Sequence, residues 1–194
     1  MATIFQNVIQ KAGAGAQNSL EARNWLRQKA AEVRTVNPRS TIQQGGPFLT
    51  NRIITGNMYL FAYDPKTKED LPYYDRFPLV FPFRKVQDGF YGINMHYLPP
   101  LLRAKLMDAL YDTINNDNMD ETTRLRINYR ILQSAAKFKY FEPCVKHYLN
   151  NHVKTRFLRV DPTQWDVALF LPLERFAKAN KLKVYADSKK KIYQ

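Results

Sequence analysis

The chain has 194 residues, 45% hydrophobic and 13% aromatic, and its basic side chains outnumber the acidic ones to leave a net charge of +13. This composition suits one sizeable core, or at most two small ones, and excludes a disordered chain. The single Cys144 excludes an internal disulfide framework, and no apolar run reaches the roughly 18 residues of a membrane-spanning helix.

Residues 1–17 are rich in Gln, Ala and Gly and are expected to lack fixed structure on their own. The order within Met1–Gln10 is not that of a signal peptide, so a cytosolic, reducing setting is expected unless a particle carries the protein elsewhere. Asn18-Ser19-Leu20-Glu21 has the pattern of a capping box, with Asn18 as cap and Glu21 reaching back. The helix it opens carries Leu20, Trp25, Leu26, Ala30 and Val33 roughly on one face, surrounded by Arg23, Arg27, Lys29 and Arg34. Pro38 and the Gln43-Gln44-Gly45-Gly46-Pro47 stretch are expected to end it and act as a linker. A lone helix of this size is marginal in water, so its Trp25 stripe is expected to dock, either on its own domain or on a partner.

The central block reads as strands. Asn57–Tyr63 is aromatic and bounded by Gly56 and a turn at Asp64-Pro65-Lys66. Phe77–Phe83 contains Pro78 and Pro82, which cannot donate to a ladder, so an edge or irregular strand is expected. Gly89–Met95 is a third strand whose glycines mark a bulge or a close approach, and Thr155–Val160 is a fourth. Between them, Pro99-Pro100 opens a helix running to Asn115-Asn116, with Leu101, Leu102, Leu106, Ala109, Leu110 and Ile114 as its stripe. Asp120 caps the next, in which Leu125, Ile127, Ile131, Leu132 and Ala135 alternate with Arg124, Arg126 and Arg130. Phe138–Leu149 is expected to hold a short helix, and Asp161-Pro162 starts a last amphipathic piece broken at Pro172. No internal repeat is visible.

The charge is uneven. Residues 1–56 carry +5, residues 57–136 are neutral, and residues 137–194 carry +8. A neutral folded body with positive ends is the layout of a chain reaching toward something negative, with nucleic acid the first candidate, an acidic protein surface the second and an anionic membrane the third. In the lysine-rich closing stretch, Lys181, Lys183, Lys189, Lys190 and Lys191 interleave with Val184, Tyr185, Ile192 and Tyr193, which places stacking surface beside charge. Phosphate binding of that kind is non-specific and falls steeply with salt.

Catalytic signatures are absent: no glycine-rich phosphate loop, no H-E-x-x-H, no G-x-S-x-G. Asp64, Asp70 and Asp75 form the tightest acidic cluster and in principle suit a magnesium ion, but solvated loop carboxylates are the plainer reading. Cys144, His147 and His152 supply three soft ligands where a structural zinc wants four, and the Cys144–His147 spacing suits one helical face with Cys144 packed as a small hydrophobe. No metal, cofactor or enzymatic activity is expected.

Three strings are more specific than composition: Met58-Tyr59-Leu60-Phe61-Ala62-Tyr63-Asp64-Pro65-Lys66, Leu71-Pro72-Tyr73-Tyr74-Asp75-Arg76-Phe77-Pro78-Leu79-Val80-Phe81-Pro82 and Gly89-Phe90-Tyr91-Gly92-Ile93-Asn94-Met95-His96-Tyr97-Leu98-Pro99-Pro100. With Phe138–Cys144 they resemble the DNA end protector proteins of contractile-tailed bacteriophages, over roughly residues 57–187. The resemblance implies a structural virion protein, assembled in the host cytoplasm, that sits on the end of packaged DNA near the portal and neck and shields it without catalysis. The expectation is an α+β fold: a small bent antiparallel sheet or SH3-like barrel with inserted helices (57–180), an N-terminal helical arm (1–56) and a basic C-terminal tail (181–194). Arg23, Arg27, Lys29, Arg34, Lys181, Lys183, Lys189, Lys190 and Lys191 are the expected contacts to DNA or an acidic partner, with Trp25, Tyr185 and Tyr193 as aromatic contacts. The alternative is a tail, baseplate or neck component that joins neighbouring virion subunits through its arms. Oligomerisation in the particle is expected, and no membrane.

Overall fold

A computed structural model describes residues 4–12, 20–114 and 120–194. The expected cap Asn18 and the helix end at Asn115-Asn116 lie outside them. Helices α1 (Ile4–Ala12), α2 (Leu20–Glu32) and α3 (Pro38–Gln43) come first. They are followed by strands β1 (Leu49–Thr50), β2 (Met58–Leu60), β3 (Tyr74–Asp75), β4 (Leu79–Val86) and β5 (Gly89–Asn94). Helices α4 (Pro100–Ile114) and α5 (Glu121–Ala135) are inserted before β6 (Val145–Leu149) and β7 (Phe157–Val160). The chain closes with α6 (Trp165–Phe170), β8 (Phe176–Ala177) and α7 (Lys181–Tyr193).

The fold is α+β. Six strands form an open antiparallel sheet in the order β1-β7-β2-β4-β5-β6, and β3 pairs with β8 in a separate ribbon. Of the two expected forms, the open sheet is the one adopted, not the barrel. β4 is central rather than at an edge. Its Pro82 sits where the register slips between Pro82 and Arg84, so the missing N–H falls at a bulge instead of breaking a ladder bond. β5 needs its glycines: a Cβ on Gly92 would stand 2.2 Å from Val80 Cγ1, and one on Gly89 would strike the Tyr148 carbonyl oxygen at 1.9 Å.

Strand periodicity sorts the aromatics onto two faces. Met58, Leu60, Phe81 and Ile93 face the helices. Tyr59, Phe61, Tyr63, Val80, Phe90, Tyr148 and Phe157 form a second cluster, with Ile53 and Val153 packed against it. Phe61 meets Tyr148 and Phe157 edge-on at 5.4 and 5.0 Å, geometry worth about 0.5–1.5 kcal/mol per pair beyond burial. On the helical side Trp165 packs edge-on to Phe81 at 4.8 Å, and its indole N–H donates to the Val160 carbonyl at 3.0 Å.

Both ends of the chain are packed on this body. Part of the stretch expected to lack structure is α1, whose Phe5 is buried in the core. α2 turns Ala22, Leu26 and Ala30 inward against α6 and leaves Trp25 at the surface, so its docking on its own domain is made without Trp25. The expected linker begins with a helix: the Asn37 side chain accepts from the N–H groups of Arg39 and Ser40, and Pro38 occupies the first turn. Phe138–Leu149 holds the expected short helix, of 3-10 type over Lys139–Cys144, and the rest of the stretch is β6. Residues 181–193 form α7, capped by Asn180 accepting from the Lys183 N–H at 2.9 Å, with Val184, Ser188 and Ile192 buried at four-residue spacing.

Candidate nucleic-acid interface

The structure separates the sequence-predicted contacts into buried and exposed groups. Arg23 and Arg27 are buried. Both guanidiniums reach Asp166 through Nε, at 2.9 and 2.7 Å, and Asp108 through an Nη, at 2.7 and 2.8 Å. For Arg27, burial alone would favour loss of the proton, but Asp108 and Asp166 outweigh it and raise the pKa. These two arginines join α2 to α4 and α6, and the expectation that they meet a phosphate is corrected on that ground. Tyr185 is likewise engaged. Arg103, itself fully buried, donates to the Tyr185 hydroxyl at 2.6 Å, and that hydroxyl donates to Glu174 at 3.1 Å. Arg103 also donates to the carbonyls of Leu98 and Leu169, so it fixes α7 to the core, and its guanidinium lies over the Tyr185 ring at 5.7 Å.

The remaining contacts lie outside. Lys29 sits over the Trp25 ring at 5.8 Å and pairs with Glu32. Arg34 and Lys181 line one shallow depression with Glu174 and Arg175, the place where the two ends of the chain come together. Lys183 pairs with Asp187 at 3.4 Å. Lys189, Lys190 and Lys191 are exposed and make no ion pair among the described residues. Tyr193 is exposed, with its ring edge-on to Tyr140.

Sequence reasoning missed a cleft whose wall residue Tyr73 interacts with Asp187 of α7, although α7 itself contributes none of the lining. About 360 Å³ lies between the segment from Tyr63 to Asp75, Tyr97 and β6. Its floor holds Lys146, half-buried with its ammonium 4.2 Å above the Tyr97 ring and without an ion pair among the described residues. Burial lowers the Lys146 pKa; Cys144 opposes this and the positive charge of Lys191 adds to it. Lys66 stands exposed at the rim, and Tyr73 and Tyr74 form a wall. The Asp75 carboxylate belongs to the cleft wall but is spent inward. Its Oδ2 meets His96 Nδ1 at 2.6 Å and accepts from Asn94, and its Oδ1 accepts from the Phe77 and Arg175 N–H groups. Burial would raise the Asp75 pKa, but His96 and those amides hold it below the usual carboxylate range. Asp75 is therefore not the solvated loop carboxylate expected, whereas Asp64 pairs with Lys68 in its loop.

The other expected constellations are dispersed. Cys144 is buried in the core, His147 stacks on Tyr91 at 4.6 Å, and His152 Nδ1 lies 2.8 Å from the Asp64 carbonyl. Cys144 ends the 3-10 helix while His147 lies in β6, so no helical face joins them. Among the described residues no three His, Cys, Asp or Glu side chains gather as metal ligands. Arg126 and Arg130 are exposed on α5.

No curated protein and no solved structure matches the chain significantly. Residues 5–194 match the family described as the phage T4 terminal DNA protecting protein, and with nearly the whole chain covered the protein belongs to that family.

Proposed function

We propose that the protein is a structural component of a bacteriophage particle that occupies DNA ends near the portal and neck, without sequence preference and without catalysis. The observation that carries the reading is the outer side of α7, where Lys189, Lys190 and Lys191 extend into solvent unneutralised by any carboxylate among the described residues. Protection of an end by this surface is steric. It needs occupancy and slow release, not a reacting group.

The test is retardation of blunt linear duplex at increasing salt. Each lysine in contact with a phosphate contributes roughly 0.9 to the slope of log affinity against log salt. Replacing Lys189, Lys190 and Lys191 by Gln is expected to flatten that slope and weaken binding. Binding no stronger than that of a basic control protein of equal charge would remove the reading.

The second reading, a tail, baseplate or neck component that joins neighbouring subunits, is favoured by a different surface. Leu101 and Phe138 are largely exposed, and an apolar groove between α4 and α5 is edged by Lys105 and Arg130. Its expected outcome is co-purification with particle proteins in the absence of DNA.

A further inference from the structure

A duplex terminus differs chemically from the duplex interior. A 5′ terminal phosphomonoester carries about −1.5 to −2 charge at neutral pH, while an internal phosphodiester carries a single negative charge. The last nucleotide also has a base that frays and a face that no neighbour covers. A protein that tells an end from the middle therefore needs a pocket of single-nucleotide size with unspent positive charge and a free aromatic face. The cleft beside α7 has all three. Its volume of about 360 Å³ is at the small end of ligand pockets, roughly 300–1,000 Å³, a size that suits one nucleotide better than a base pair.

The charge inside is unspent. Lys146 is held at the floor with a tyrosine ring as its neighbour, and Lys66 makes no ion pair among the described residues. The carboxylate that lines the cleft, Asp75, is turned to His96, Asn94 and two backbone N–H groups and makes no ion pair with either lysine. A partly desolvated ammonium attracts an anion more strongly than one in open water, because the local dielectric is lower. Among the wall tyrosines, Tyr73 is packed against Tyr97 and Phe176, whereas Tyr74 is half-exposed and has no ring neighbour among the described residues. Base stacking on such a ring is tolerant of sequence, since every base has a π-face.

We propose that this cleft holds the terminal nucleotide of a DNA end, its 5′ phosphate on Lys146 and Lys66 and its base against Tyr74. The proposal rests on the end-binding reading above and assigns the part of the surface that distinguishes an end. α7 supplies general duplex affinity beside it, and the cleft supplies the preference for a terminus.

The experiment compares the full-length wild type with Lys146→Met and Tyr74→Leu on three duplexes of one sequence. One has 5′ phosphates, one has 5′ hydroxyls, and one is closed by a hairpin at each end. The expected result is tightest binding to the phosphorylated ends. Lys146→Met is expected to lose about tenfold or more on that duplex while its affinity for the closed duplex stays unchanged. Methionine keeps an apolar stem over the Tyr97 ring, and thermal melting checks the fold. If wild type favours open ends and folded Lys146→Met keeps the full preference, the cleft assignment falls and the end-binding reading stands. If wild type binds none of the three, both fall. Should Lys146→Met not fold, wild type titrated with 2′-deoxyadenosine 5′-monophosphate decides: NMR shifts at Tyr74 and Lys146 are expected, and their absence at millimolar nucleotide overturns the proposal. Displacement of phosphorylated duplex by polyglutamate as effectively as by the mononucleotide also overturns it, in favour of an acidic protein partner.

Discussion

Replacing Asp166 by Ala withdraws from Arg23 and Arg27 the carboxylate that each reaches through Nε. The side chains involved are almost wholly inside: 4% exposed for Asp166, 7% and 9% for the two arginines. Removing one partner of a buried ion pair costs about 3–5 kcal/mol, most of it from charge left without compensation. Asp108 remains within reach of both guanidiniums, which places the expected loss near the lower end, about 3 kcal/mol. In a chain of this length each kcal/mol moves the melting temperature by roughly 2–4 °C, so a fall of about 6–12 °C is expected. Asp108→Ala is the matched control. That side chain is 48% exposed, solvent screens its pairs, and Asp166 stays in place, so the cost is about 1 kcal/mol or less. Thermal and urea unfolding followed by circular dichroism gives both values. Asp166→Ala melting within a degree or two of wild type, or the two variants losing equal stability, would refute the assignment of the cluster as structural. The same reasoning requires that Arg27→Ala, measured on the folded fraction, keeps wild-type DNA affinity.

Three other outcomes follow from the geometry. Gly92→Ala places a methyl group 2.2 Å from Val80 Cγ1, and a cost of about 1–3 kcal/mol is expected in urea unfolding from overpacking between β4 and β5; an unchanged midpoint contradicts it. Asp75 and Glu174 both have lowered pKa values, since burial is outweighed by His96 and other favourable neighbours. Their stabilisation is present above the unfolded carboxylate pKa of about 4 and is lost as pH falls through the folded values, so the urea midpoint should drop on acidification below about pH 4. Asp75→Asn should lower the neutral-pH midpoint and flatten that acid limb. Finally, burial pushes the Cys144 thiol up to about 12, so iodoacetamide at pH 8 should label the urea-unfolded chain far faster than the native one. Equal rates would show that the thiol is accessible.

The sequence was readable where a short-range rule was also the winning rule. The Asp120 cap, the Pro99-Pro100 helix start and the break at Pro172 all appear at their expected positions, because each depends on neighbours within a turn. For β4, Pro82 signalled an edge or an irregular strand, and the irregular form is the one adopted: a bulge absorbs the missing donor and lets the strand lie inside the sheet. β6 was hidden by the Cys144–His147 spacing, which reads as one helical face although Cys144 lies before the strand and His147 within it. In α7 the lysines drew the reading toward a tail. The Asn180 cap and the Val184, Ser188, Ile192 spacing carried the opposite signal. The buried arginines could not have been told from solvated ones, since their partners Asp108 and Asp166 lie far along the chain and only the tertiary fold delivers them. The cleft was invisible for the same reason: Tyr74, Tyr97 and Lys146 belong to three separate segments.

The strand order has a consequence for biosynthesis. β2 is flanked by β4 and β7, with Leu60 facing Leu158, and β1 has β7 as its sheet neighbour. α2 likewise waits for Asp166 before its arginines have anywhere to go. A ribosome-bound chain that stops short of residue 157 thus displays its aromatic strands with one flank unpaired, and pairings this distant in sequence close slowly. Completion of the sheet therefore waits for the last quarter of the polypeptide, which carries β7.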